Sequence, residues 1–166
     1  MEDITQELRE SAALKVHVAE TQGHIIQAML ECMWESLRQG GKILLCGNGG
    51  SAADAQHLAT ECMVRQEAER APLPAIALTT DTSVLTAAGN DHGFETIFAR
   101  QVAGLGRPGD VLLAISTSGN SPNVMRAVEE AHRRGLDTLG LLGKGGGKLK
   151  EIDFKNPRSS PLVKVP

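Results

Sequence analysis

Aromatic side chains are almost missing from this chain: it has no tyrosine, one tryptophan (Trp34) and three phenylalanines (Phe94, Phe98 and Phe154) in 166 residues. Stacking platforms for bases are therefore lacking. The net charge of −3, with lysines and arginines scattered along the chain, supplies no basic stripe, so a nucleic-acid partner is not expected. Cysteine is also scarce. Cys32, Cys46 and Cys62 form no C-x-x-C pair and no disulfide framework, which suits free thiols in a reducing compartment. No apolar run approaches the roughly 20 residues that span a bilayer, and Met1 to Thr5 lacks the basic and apolar regions of a leader, so a cytoplasmic protein without membrane contact is expected. Neither a Walker-A lysine pattern nor G-x-G-x-x-G occurs, which sets aside nucleotide polyphosphates and dinucleotides.

What the chain does contain is a regular alternation of apolar runs and helix-forming stretches. With 41% apolar and 22% charged residues and no repeat, low-complexity tract or linker, residues 1–166 read as one domain. Residues 5–21 and His24–Arg38 predict two N-terminal helices, the second stopped by Gly40-Gly41; Met29, Met33 and Leu37 form a stripe longer than one sheet face needs, which points to subunit packing. Ile43–Cys46, Ala75–Thr80, Val111–Ser116, Leu136–Leu142 and Leu162–Val165 read as strands. Helices between them imply an α/β fold with a five-stranded parallel sheet and right-handed crossovers, of the flavodoxin-like or Rossmann-like kind.

Two strand-to-helix junctions carry the chemistry. After Ile43–Cys46 come Gly47, Asn48, Gly49 and Gly50, glycines that tolerate positive φ and let a ligand approach the main chain; Ser51 is a candidate N-cap for a helix from Ala52. Along that helix His57 and Glu61 stand four apart, imidazole and carboxylate on one face at roughly 6 Å between Cβ atoms. Taken alone such a pair is more often an ordinary helical contact than a metal site. Its place behind a glycine loop at the ligand edge of an open sheet tips the reading toward function. The second junction, Ser116-Thr117-Ser118-Gly119-Asn120-Ser121, puts four hydroxyls and free backbone N–H groups at a helix N-terminus, where a phosphomonoester fits. These hydroxyls exceed what one helix cap needs. His17, His24, His92 and His132 have no partner at ligand spacing and read as surface or packing residues.

The stretches Cys46–His57 with Glu61, Leu73–Asp81, Gly89–Asp91 and Gly109–Ser121 resemble the SIS (sugar isomerase) domain family, in the branch that isomerises seven-carbon sugar phosphates. That resemblance implies aldose–ketose isomerisation of sedoheptulose 7-phosphate to D-glycero-D-manno-heptose 7-phosphate through an enediol, the first step toward nucleotide-activated heptose. It also implies that Asn48, Gly49, Gly50, Ser51, Glu61, Asn90 and Asp91 contact the sugar and that Ser116, Thr117, Ser118 and Ser121 hold the phosphate. By the same resemblance His57 and Glu61 bind one zinc ion per subunit, Glu61 shuttles the proton, and the assembly is a homotetramer. The family pattern further implies a helix after the last strand, carrying a glutamine and a histidine that complete the zinc site; the 166 residues lack it. Two other functions share these motifs: a non-catalytic scaffold of the DnaA-binding replication-regulator type, and a sugar-phosphate sensor. Glu61 argues against the scaffold, which lacks that carboxylate.

Overall fold

The computed structural model describes residues 3–65, 67–152 and, for the backbone, 162–164. Five parallel strands, β1 (Ile43–Cys46), β2 (Ala75–Ala77), β3 (Val111–Ser116), β4 (Asp137–Leu142) and β5 (Leu162–Lys164), lie in the spatial order β2-β1-β3-β4-β5. The five-stranded parallel sheet predicted from the alternation is thus present, and the part of the fifth-strand expectation at residue 165 lies outside the described residues. In this order the chain leaves β1 to one side and β3 to the other, so the crevice above their carboxyl ends is the topological switch point where open sheets bind ligands.

The pleat sorts the core. Ile43 and Leu45 point to the face covered by α1 (Ile4–Arg38) and α2 (Gly50–Met63), where they meet Met29, Ala55 and Ala59. Leu44 and Cys46 point to the other face, against Phe98 and Val102 of α4 (Ile97–Leu105) and Val124, Ala127, Val128 and Ala131 of α5 (Pro122–Arg134). Every residue of β1 and β3 is buried, which is why both read as unbroken apolar runs. Burial pushes the Cys46 thiol up to about 12 and the Cys32 thiol to about 11, so both are protonated and unreactive at neutral pH.

Three expectations change. The N-terminal region is a single 35-residue helix, α1, and not two. Gly23, where the break was expected, keeps helical backbone with open space around it, so it weakens the helix by about 1 kcal/mol without ending it; the stop comes at Gly40, with φ of 83°. Met29, Met33 and Leu37 are not the surplus stripe either, because they pack on the chain's own sheet. The large apolar side chains of α1 left in the open are Ile4, Leu8, Val16, Ile26, Leu30 and Trp34. Finally, β2 stops at Ala77 instead of running to Thr80 and is an edge strand with Ile76 exposed; Thr80 turns the chain by donating to the Ala77 carbonyl.

Between β2 and β3 lie α3 (Thr82–His92), a 3-10 turn (Phe94–Thr96) and α4, and between β3 and β4 lies α5. At the opposite, amino edge of the sheet, buried Asp110 accepts from Lys42 N at 3.0 Å, Arg107 N at 2.8 Å and the Lys42 ammonium. Asp110→Ala strands two amides and a half-buried ammonium. It should cost about 3–5 kcal/mol, read as a lower urea midpoint with an unchanged slope.

Candidate functional site

The two junctions meet at the switch point. Parallel register sets Cys46 beside Ala114, so the 47–50 loop and the 117–121 loop leave the sheet as neighbours. Gly49 has φ of 56°, a backbone that other residues reach only under strain, and it is the N-cap of α2. Ser51 is therefore not the cap that was expected: it lies inside the first turn, buried, with no capping hydrogen bond. Gly47 serves close packing, since a Cβ there would lie 2.6 Å from the Ser51 carbonyl oxygen.

Asn48 and Ser51 line a cavity of about 200 Å³ together with Ser116, Thr117, Ser118 and Ser121. This is the convergence that the hydroxyl count anticipated. Ser116 Oγ lies 3.1 Å from Ser121 Oγ and accepts from Gly119 N at 3.1 Å, while Ser118 Oγ accepts from Asn120 N at 3.1 Å. Ser121 is the N-cap of α5, and its hydroxyl makes no capping bond. In the first turn of α5, Pro122 has no N–H, and the Val124 and Met125 amides donate to Asn123 Oδ1 and the Ser121 carbonyl, so it is chiefly the hydroxyls that face this small polar hollow, with the helix dipole behind it.

One residue that shapes this hollow was not singled out from sequence. Asn123, 2% exposed, exchanges two side-chain hydrogen bonds of 2.8 Å with Asn48, and its Oδ1 also accepts from Val124 N. This double amide bridge fixes the first loop to the second. Only an asparagine one residue past the proline of Ser121-Pro122-Asn123 signalled it, and that spacing is common in helix starts.

His57 and Glu61 lie elsewhere. Gly50 to Glu61 is 11 residues of α2, about 16 Å at 1.5 Å per residue, so Glu61 stands near the far end of the helix from the hydroxyl hollow. It lines a second cavity of about 460 Å³ with Leu30, Met33, Leu58, Cys62 and Arg70. His57 Nε2 is 4.0 Å from Glu61 Oε1; the imidazole is 74% exposed and the carboxylate 32%. Among the described residues, Glu61 Oε2 is the buried side-chain polar atom that has no hydrogen-bond partner. A buried oxygen of this kind needs an explanation, and a ligand is one. Arg70 holds this end of α2, donating to the carbonyls of Glu61 at 2.6 Å and Cys62 at 2.8 Å.

An imidazole nitrogen and a carboxylate with a vacant oxygen are donors of the type zinc takes. They fit half of a tetrahedral site, because no group of three or more His, Cys, Asp or Glu side chains gathers among the described residues. Asn90 and Asp91 are exposed at the end of α3, and Asp91 lines a third cavity, between α3 and α4, with Asp81, His92 and Arg100. His132 packs as expected, hydrogen-bonded to Thr138 Oγ1 at 2.9 Å.

A family model described as the SIS domain matches residues 8–143. Sheet order, both loops and this match agree, and the chain belongs to the SIS domain family. The phosphoheptose isomerase of Rhodospirillum rubrum is 64% identical over 117 residues, covering 70% of this chain and 62% of that protein. The phosphoheptose isomerase of Nitratiruptor sp. is 61% identical over 129 residues, covering 78% and 68%. The chain thus spans about two thirds of the length of these curated relatives. The solved phosphoheptose isomerase from Neisseria gonorrhoeae superposes with a TM-score of 0.90 at 45% identity, over 98% of this chain and 84% of that one. Within the SIS domain family, its place is among the phosphoheptose isomerases, which are aldose–ketose isomerases.

Replacing Asn123 by alanine unpairs Asn48 and frees the first loop. It should cost about 1–3 kcal/mol of stability in a denaturant titration and weaken sugar-phosphate binding in calorimetry.

Proposed function

We propose that this chain interconverts sedoheptulose 7-phosphate and D-glycero-D-manno-heptose 7-phosphate in the cytoplasm, with the hydroxyl hollow as phosphate cradle and Glu61 as proton-transfer group. The observation that carries the reading is the joint lining of one small cavity by Asn48, Ser51, Ser116, Thr117, Ser118 and Ser121, in a chain of this family. Phosphate oxygens would accept from the serine and threonine hydroxyls at the start of α5, which fixes one end of the open-chain sugar. Asn48, held by Asn123, would meet the sugar beside the phosphate, with Gly49 and Gly50 allowing close approach. Glu61 would take a proton from the carbon next to the carbonyl and return one to its neighbour, with a cis-enediol between. Membership among isomerases favours this over a replication scaffold, and the retained carboxylate supports the same choice.

His57 and Glu61 would hold zinc, with the remaining donors supplied from outside the described residues. Bound zinc would act as a Lewis acid toward substrate oxygens. The residues of this chain bind, orient and move the proton.

Separation of the cradle from Glu61 within one chain supports a shared site. A second copy seated on the exposed apolar side of α1, where Leu30 lines the Glu61 cavity and Ile26 and Trp34 lie one helical turn to either side of it, would bring one copy's carboxylate toward another's cradle, within a homotetramer. Asp91 at the α3 end would reach the sugar by the same docking.

Glu61→Gln keeps size and hydrogen bonding but removes the basic carboxylate. Isomerisation should fall by about 10²-fold or more while sugar-phosphate affinity changes far less; equal turnover would place the proton transfer elsewhere. Light scattering at micromolar concentration should give a mass well above the 17.6 kDa of one chain, and Trp34→Glu should lower it. A monomer with full activity would exclude the shared site.

A further inference from the structure

The hydroxyl cradle binds an anion with neutral groups, and one charged side chain stands at its rim. Lys144 lines the same cavity as Ser116, Thr117, Ser118 and Ser121, and no carboxylate lines it. Among the described residues Lys144 is the non-glycine residue with a positive φ, 47°, inside the run Gly143-Lys144-Gly145-Gly146-Gly147. A glycine at that position would hold the same backbone without strain.

The run carrying Lys144 is locked to the cradle. Gly143 N donates to the Ser116 carbonyl at 3.1 Å, Leu149 N to the Gly119 carbonyl at 2.9 Å, and Lys148 N to Asn120 Oδ1 at 3.0 Å. Gly119, with φ of 64°, lies so close to the run that a Cβ on it would sit 2.0 Å from the Gly146 carbonyl oxygen. Neither loop shifts without the other. No carboxylate among the described residues forms an ion pair with Lys144, so its ammonium is available to the cavity.

We infer that Lys144 is the cation of the cradle, a specificity-determining residue that favours a phosphate dianion over a neutral sugar. This rests on the reading of the 116–121 loop as the phosphate site. A flexible ammonium at the rim adds attraction that reaches into solvent, whereas the hydroxyls and amides act only on contact. The cation therefore contributes a salt-dependent part of the affinity and the hydroxyls a salt-independent part.

Calorimetry with sedoheptulose 7-phosphate and with inorganic phosphate tests it, using Lys144→Gly, Lys144→Arg and the double variant Ser118→Ala/Ser121→Ala. Lys144→Gly should weaken both ligands about tenfold and flatten the loss of affinity between low and high salt. Lys144→Arg should stay within about threefold of the wild type. Thermal melting of Lys144→Gly should be no lower than wild type, since glycine fits φ of 47°, so weaker binding cannot come from unfolding. Wild-type affinity and salt dependence in Lys144→Gly, with binding lost in the serine variant, would overturn the role of Lys144 and leave the cradle standing. Undiminished phosphate binding in the serine variant would overturn the cradle and this inference with it.

Discussion

Parallel pairing of β1 with β3 is the constraint on which the ligand edge depends. Both strands are buried on both faces, so neither slips register without moving its whole apolar set, and Cys46, the last residue of β1, is fixed beside Ala114, two residues before the end of β3. Two loops leave from there in the same direction. Each then begins a helix, and Asn48 and Ser51 of the first line a single hollow with Ser116, Thr117, Ser118 and Ser121 of the second. The Asn48–Asn123 bridge and the Gly119–Gly146 contact remove the freedom that remains. A phosphate site made largely of neutral hydroxyls needs this rigidity, because its hydrogen bonds are strong only when donors are already in place.

Strands and junctions were legible in the sequence because local pattern decides them. An unbroken apolar run followed by Gly-Asn-Gly-Gly or Ser-Thr-Ser-Gly admits few structures other than a buried parallel strand opening into a helix. The hydroxyls of the second junction could be counted before their cavity was seen. Features that depend on what stands opposite were not legible. Gly23 looked like a boundary because propensity marks it so, yet no contact forces the backbone to turn there, and α1 continues. The Met29–Met33–Leu37 stripe was real but was assigned to the wrong neighbour, since periodicity gives a face without naming what covers it. Ser51 was taken for a cap, although Gly49, two residues earlier, reaches the cap geometry more cheaply. Asn123 and Lys144 gain meaning only through contacts across 75 and about 25 residues of chain, which no spacing rule spans.

Helix α2 separates two kinds of chemistry by its own length. Its N-terminus, with a positive dipole end, lies by the hollow for the anion; its last turn carries the carboxylate, where the negative end of the dipole would repel an anion. Arg70 offsets that negative end by donating to the carbonyls of Glu61 and Cys62, and so holds the last turn in shape without bonding the Glu61 carboxylate. The hollow proposed for the phosphate and the carboxylate proposed as base are thereby held apart within one chain. Meeting across copies, they would share a substrate without sharing a dipole.

Among the described residues, the buried oxygen left without a partner lies in a largely apolar groove. Glu61 Oε2 is buried without a partner among Leu30, Met33 and Leu58, an arrangement that costs stability unless something else completes it. Exposed Leu30 lines the groove, with exposed Ile26 and Trp34 one helical turn to either side on α1, so a partner covering them would also shield the carboxylate from water. Exclusion of water would strengthen every electrostatic contact inside the groove. Packing and catalysis would then depend on one event, and a substitution that weakens assembly at Trp34 would act on chemistry through the water it admits to Glu61.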